Sequence, residues 1–200
     1  MKETNNNNYN TKFLKETNLS NQLIVAMPGQ FDGIFAGTVV YICEHTKKGA
    51  IGIVLNRPTD LTLGSLIDRL DQESCKSNKN EENIPVYFGG PVQTDRGFVL
   101  HSPTKKYDSS VFLDDVAMTT SCDILQEVID GKGPPKVFIS LGYAGWGEGQ
   151  LEVEISQNAW LNVYADEKII FETPSHERYS SSLKLLGINQ IMLSSIAGTS

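Results

Sequence analysis

Arg57, Asp95, Arg96, Tyr143 and Trp146 are the residues of this 200-residue chain whose types and positions suit recognition chemistry. An arginine's planar fork pairs carboxylates and phosphates through parallel hydrogen bonds. Arg57 lies in Asn56-Arg57-Pro58, where a strand ends, and Arg96 in Asp95-Arg96-Gly97, within a turn. Both can clamp an acidic group, or can bind neighbouring carbonyls and carboxylates and so tie loops together. Tyr143 and Trp146 stand among Gly142, Gly145, Gly147 and Gly149. Large rings so placed either form a pocket lip or fill the core beneath a turn. If strand ends collect at one sheet edge, these two aromatics lie near Arg57 or Arg96.

Residues able to break or make bonds are harder to assemble. Cys43-Glu44-His45 suggests a nucleophile, a base and a ligand, but adjacent strand residues point to opposite faces. Cys43 and His45 then share a face that Glu44 cannot join. A Cys-x-His pair lacks the second ligand pair of a closed zinc site, and nothing in the spacing brings His101 or His176 to it. Cys43 reads as a small buried hydrophobe. Gly89-Gly90 lacks the lysine of a phosphate-binding loop, and no Gly-x-Ser-x-Gly elbow occurs. No catalytic residue, metal site or cofactor is assigned.

Composition narrows the partners. The net charge of -7 repels phosphate backbones, and Lys47-Lys48 and Lys105-Lys106 are the nearest things to basic clusters. Generic duplex DNA is therefore not an expected partner. Cys43, Cys75 and Cys122 are odd in number with no Cys-x-x-Cys pair, which argues against a disulfide framework. The Asn-rich start has no signal-peptide core, and no apolar run approaches the roughly 20 residues of a membrane span. These features place the protein in the cytoplasm.

The elements that must position these residues follow from periodicity. Residues 1–20 read as a mobile Asn-rich tail in which only Phe13, Leu14 and Leu19 are suited to dock, and a single domain occupies 21–200. Strands are predicted at Gln22–Met27, Thr38–His45 and Ala50–Asn56, with Thr46–Gly49 as a four-residue hairpin loop. Thr62 is positioned to cap a helix carrying Leu63, Leu66, Ile67 and Leu70. Polar residues 73–83 read as a surface loop. Pro85–Pro91 is a strand running into a glycine-proline turn, Gln93–Gly97 is a further turn leading to the strand Phe98–His101, and Ser109–Thr119 holds one or two short strands around Asp114-Asp115. Thr120 or Ser121 caps a helix running to Asp130, with Ile124, Leu125, Val128 and Ile129 inward. Val137–Leu141 is a buried strand that empties into the glycine segment. Gln150–Gln157 fits strand or helix by period alone. Trp160–Val163 is a strand, and Ser175 caps a last helix that Gly187 closes. Strands, hairpins and helices so mixed indicate an α+β (mixed α/β) domain.

Several of these runs resemble the YqgE/AlgH family of bacterial proteins. They are Ala26-Met-Pro-Gly29, Thr38–His45, Gly52–Pro58, Phe88–Gly97, Leu141–Gly147 and Asn158-Ala-Trp160, in the family's order. The resemblance implies a bulged, twisted β-sheet with flanking helices and a cytoplasmic setting. It also favours the helical alternative for Gln150–Gln157. One family member is labelled a transcriptional regulator of alginate production, which implies no mechanism. Where the family usually reads Asp-Pro and then an Arg before Thr-Val, this chain has Asp32-Gly33 and Gly37, so no role of that Arg carries over.

Two function classes remain. A regulatory or binding module would use loops at strand ends, with Arg57, Asp95, Arg96, Tyr143 and Trp146 facing an unknown protein or a small anionic ligand. An enzyme acting on a small anionic substrate would use Arg57 and Arg96 as clamps and Asp95 or His45 as acid/base. It should bring a titratable pair together in a cleft. The dense turn chemistry without a nucleophile set favours the binding module, and direct DNA binding ranks last.

Overall fold

The structure, a computed structural model, describes residues 18–69 and 83–188. The expected mobile tail and the polar loop at 73–83 therefore fall largely outside the described residues. Leu19 does dock: it is buried, and its N–H donates to His45 Nδ1 at 3.1 Å.

Ten strands are described: β1 (Gln22–Ala26), β2 (Val39–Thr46), β3 (Gly49–Val54), β4 (Pro58–Thr62), β5 (Pro85–Phe88), β6 (Val92–His101), β7 (Val111–Leu113), β8 (Val116–Thr119), β9 (Val137–Trp146) and β10 (Trp160–Tyr164). They form one sheet in the order β10-β1-β2-β3-β9-β6-β8-β7, with β4 and β5 branching off β9. All pairs are antiparallel except β5 with β9. The helices are α1 (Leu63–Arg69), α2 (Asp123–Ile129), α3 (Gln150–Ser156), α4 (Glu167–Phe171) and α5 (Ser175–Leu185). The fold is α+β.

Three apolar cores divide the interior. Alternation puts Leu23, Val25, Val39, Tyr41, Ile53 and Leu55 on one face of β1–β3, where they meet Phe98, Leu100 and Phe138 and are covered by Ile169, Ile170 and Leu183 of α4 and α5. The opposite face of β1–β3 carries Ile24, Val40, Ile42 and Val54, packed with Trp146, Leu151 and Trp160. On the outer face of β5, β6 and β9, Val86, Val99 and Ile139 are covered by α1 and α2.

The glycine segment is not a turn. β9 runs through it to Trp146, and only Gly147–Gly149 connect to α3. Gly142, at φ +71°, reverses the alternation of the strand: Ile139 and Leu141 face the core beneath α1 and α2, whereas Tyr143 packs on the central core. At this glycine β9 exchanges neighbours, pairing with β5 before it and with β3 after it. The kink brings backbones together, since a Cβ on Gly142 would stand 2.4 Å from the Gly90 carbonyl oxygen. The two glycine-rich motifs are thus a single interlock.

Other expectations shift in detail. Gln93–Gly97 is not a separate turn but the irregular first half of β6, with a register shift between Val92 and Gly97 opposite β9. The first hairpin turns on Lys47-Lys48 alone. Thr62 caps α1 as expected, accepting from Ser65 N–H at 3.3 Å while Ser65 Oγ accepts from Thr62 N–H at 2.9 Å. Neither Thr120 nor Ser121 caps α2, whose cap residue is Cys122, and α5 begins at Ser175 itself, after Pro174. β4 and α4 have too few periodic residues to be seen in sequence. A bulge in β2 between Ile42 and Glu44 also separates Cys43 from His45. Cys43 faces the central core, where burial pushes its thiol pKa up, while His45 turns to α3, its Nε2 lying 3.4 Å from Glu152 Oε1.

Candidate functional site

A cleft of about 370 Å³ opens where α1 and α2 separate over the sheet. Its floor is aliphatic: Val99 from β6, Ile139 and Leu141 from β9, Leu66 from α1 and Leu125 from α2. These are the helical stripes and strand faces that bury the third core, and they continue past its edge. The mouth is polar. Asp95, Arg96 and Gly97 come from the irregular half of β6, and Thr120, Ser121 and Cys122 from the loop entering α2.

Hydrogen bonds hold that mouth in place. Arg96 Nη2 donates to Thr120 Oγ1 at 3.0 Å, and most of its five N–H donors have no partner among the described residues. Thr120 N–H donates to Ser109 Oγ at 2.8 Å. Ser121 Oγ donates to Asp123 Oδ1, and Asp123 also accepts from the N–H groups of Asp108 and Ile124. Burial works against ionisation of Asp123, but these donors outweigh it and hold its carboxyl below the ordinary range. Behind the mouth, buried His101 faces the Ser102 carbonyl with Nδ1 and Thr119 Oγ1 with Nε2, both at 2.9 Å. The carbonyl accepts only, so Nδ1 carries the hydrogen and Nε2 accepts from Thr119. Burial lowers the His101 pKa, and its ring meets Tyr107 edge-on.

The five residues singled out in sequence are not one constellation. Asp95 and Arg96 line the cleft. Tyr143 approaches Arg96 indirectly: its ring lies 5.4 Å from Phe98, over which the Arg96 guanidinium sits at 5.9 Å. Arg57 is elsewhere, donating to the Ala36 carbonyl, while the adjacent Asn56 binds Val39 N–H and the Gly37 carbonyl. Loop tying is the arrangement seen there. Trp146 is buried in the second core, edge-on to Trp160, and both indoles donate to Glu154 Oε2 at 2.9 and 2.7 Å. It does not reach the cleft.

Thr120, Ser121 and Cys122 escaped the sequence reading because the first two looked like helix caps. The available signal was a surplus: three hydroxyl residues in succession, Thr119, Thr120 and Ser121, before a helix that needs at most one. Among the described residues no three His, Cys, Asp or Glu side chains converge as metal ligands, and no helix is long and apolar enough to cross a membrane. Cys43 is buried and Cys122 exposed, both as free thiols.

A family model described as AlgH-like (DUF179) matches residues 23–191. A UPF0301 protein of Bordetella avium is 58% identical over 91% of this chain and 91% of its own length. One from Burkholderia cenocepacia is 52% identical over 90% of this chain and 95% of its own. The solution structure of the AlgH protein from Pseudomonas aeruginosa matches with a TM-score of 0.78 and 42% identity, covering 100% of both chains. A crystal structure of a protein from Corynebacterium diphtheriae, 20% identical with a TM-score of 0.65, covers 83% of this chain and 86% of its own and shares the fold.

Proposed function

The chain belongs to the AlgH-like family, and on that premise we propose that it is a non-catalytic binding module whose ligand site is the cleft beneath α1 and α2. The observation carrying this reading is the contrast between an aliphatic floor and a mouth with few, oriented polar groups. Small-molecule sites are built this way: apolar area supplies affinity and a few fixed polar groups supply orientation. Catalysis would need a second titratable group positioned against the reacting atom. The cleft offers Asp95, Arg96 and Cys122, whereas His101 lies in the interior and His45 faces α3. That distribution favours capture over chemistry.

Purification of the full chain from native cytosol, with mass spectrometry of retained metabolites and proteins, tests the reading. Two variants accompany it: Leu125→Trp, which fills the floor, and Arg96→Glu, which alters only the exposed rim. Species retained by the parent should be lost from both variants while their unfolding transitions stay cooperative. An identical retained set in all three proteins would refute the cleft as the site.

A further inference from the structure

The mouth of the cleft carries both signs of charge on consecutive residues, Asp95 and Arg96, over a floor with no aromatic side chain. Neighbours in a regular strand point to opposite faces, but the register shift between Val92 and Gly97 lets both line one opening. Arg96 is held from one side by Thr120 and keeps donors to spare. Asp95 has no ion-pair partner among the described residues. A simple carboxylate would gain from Arg96 and be repelled by Asp95, and a simple amine would meet the reverse. A ligand carrying both charges on one carbon satisfies both.

We infer that the cleft binds a free aliphatic α-amino acid. Its carboxylate meets the remaining N–H donors of Arg96, which Thr120 Oγ1 holds in place while its own O–H donates to Ser109 Oγ. Its ammonium meets Asp95, and its branched side chain enters the floor formed by Val99, Leu125, Ile139 and Leu141. The volume of about 370 Å³ lies near the lower end for small-molecule sites, which suits a ligand of this size. A peptide terminus presents only one of the two charges and so fits half of the mouth. This assignment rests on the reading of the cleft as a ligand site and specifies the chemistry of that ligand.

The test is amide NMR on the full chain, titrated separately with L-leucine, 4-methylpentanoate, which lacks the ammonium, and 3-methylbutylamine, which lacks the carboxylate. L-Leucine should shift the amides of Gly97 and of residues 120–122 saturably. Each analogue should bind roughly tenfold or more weakly, the scale of one lost charge-assisted hydrogen bond. Asp95→Asn should erase the preference for L-leucine over 4-methylpentanoate, and Arg96→Met the preference over 3-methylbutylamine. Both residues are exposed, so the variants keep the fold. If 4-methylpentanoate binds as tightly as L-leucine, the amino-acid assignment is overturned while the cleft remains a ligand site. If L-leucine gives no saturable shift, the assignment is again overturned, and the retention experiment decides separately whether the binding-module reading stands.

Discussion

Replacing Gly142 with Ala tests the interlock that shapes β9. Two costs are expected. An L-residue at φ +71° sacrifices about 1–2 kcal/mol relative to glycine. The new Cβ would also stand 2.4 Å from Gly90 O, 2.9 Å from Val92 O and 3.3 Å from Thr94 Cα. Two of these are backbone oxygens at the junction of β5 and β6, which cannot swing aside as a side chain would. Overpacking of this kind costs typically 1–3 kcal/mol. Together the loss is about 2–5 kcal/mol, or roughly 5–20 °C in Tm for a domain of this size. Gly131→Ala is the matched control, because Gly131 has φ +70° and nothing within 4 Å of its ideal Cβ. It should show the conformational cost alone, about 1–2 kcal/mol. Urea unfolding followed by circular dichroism gives both values. Equal losses in the two variants would show that the close approach of Gly90 to Gly142 carries no energy, and the interlock would be a mistaken account of the two motifs.

Trp146→Ala should cost roughly 3–5 kcal/mol, because it empties a core position and removes one of the two indole donors to Glu154. It should leave capture at the cleft unchanged, which a side-by-side unfolding and ligand titration will reveal; altered capture would mean the second core and the cleft are coupled. His101 contributes a pH dependence of definite sign. Its folded pKa is lowered below the ordinary 6.5, so the unfolded chain binds the proton more readily. The stability due to its neutral form is present above that value and declines as pH falls below it, by at most about 1.4 kcal/mol per pH unit. Unfolding free energies measured across acidic pH should therefore show a shallower slope for His101→Asn than for the parent, and parallel slopes would exclude this linkage. The net charge of -7 predicts no binding of random duplex DNA at physiological salt. Salt-sensitive band shifts with the purified protein would contradict it.

Local chemistry was enough to locate most elements. The alternation through Thr38–His45 marked a strand buried on both faces, the Thr62 hydroxyl marked the start of α1, and Gly187, at φ +69°, marked the end of α5. These signals are short-range, so each can be read in a window of a few residues. Asp95 and Arg96 were singled out by type, since paired opposite charges beside a glycine seldom serve a core, and both stand at the mouth of the cleft. The aliphatic floor was visible only as helix stripes and strand faces, with no sign that Leu66 and Leu125 would line one cleft.

Tertiary structure decided which side each residue faces. A single left-handed glycine in β9 and one bulge in β2 each invert an alternation of period two, and neither is encoded by the residues that are moved. Gly142 sends Tyr143 to the central core instead of the cleft beside Leu141. The β2 bulge parts His45 from Cys43. Glycine allows such a conformation without requiring it; what selects it here is the backbone of Gly90 lying against Gly142, about fifty residues away in sequence. The chemistry of this chain is therefore written in its residue types, and the company each residue keeps was settled by contacts that no local window contains.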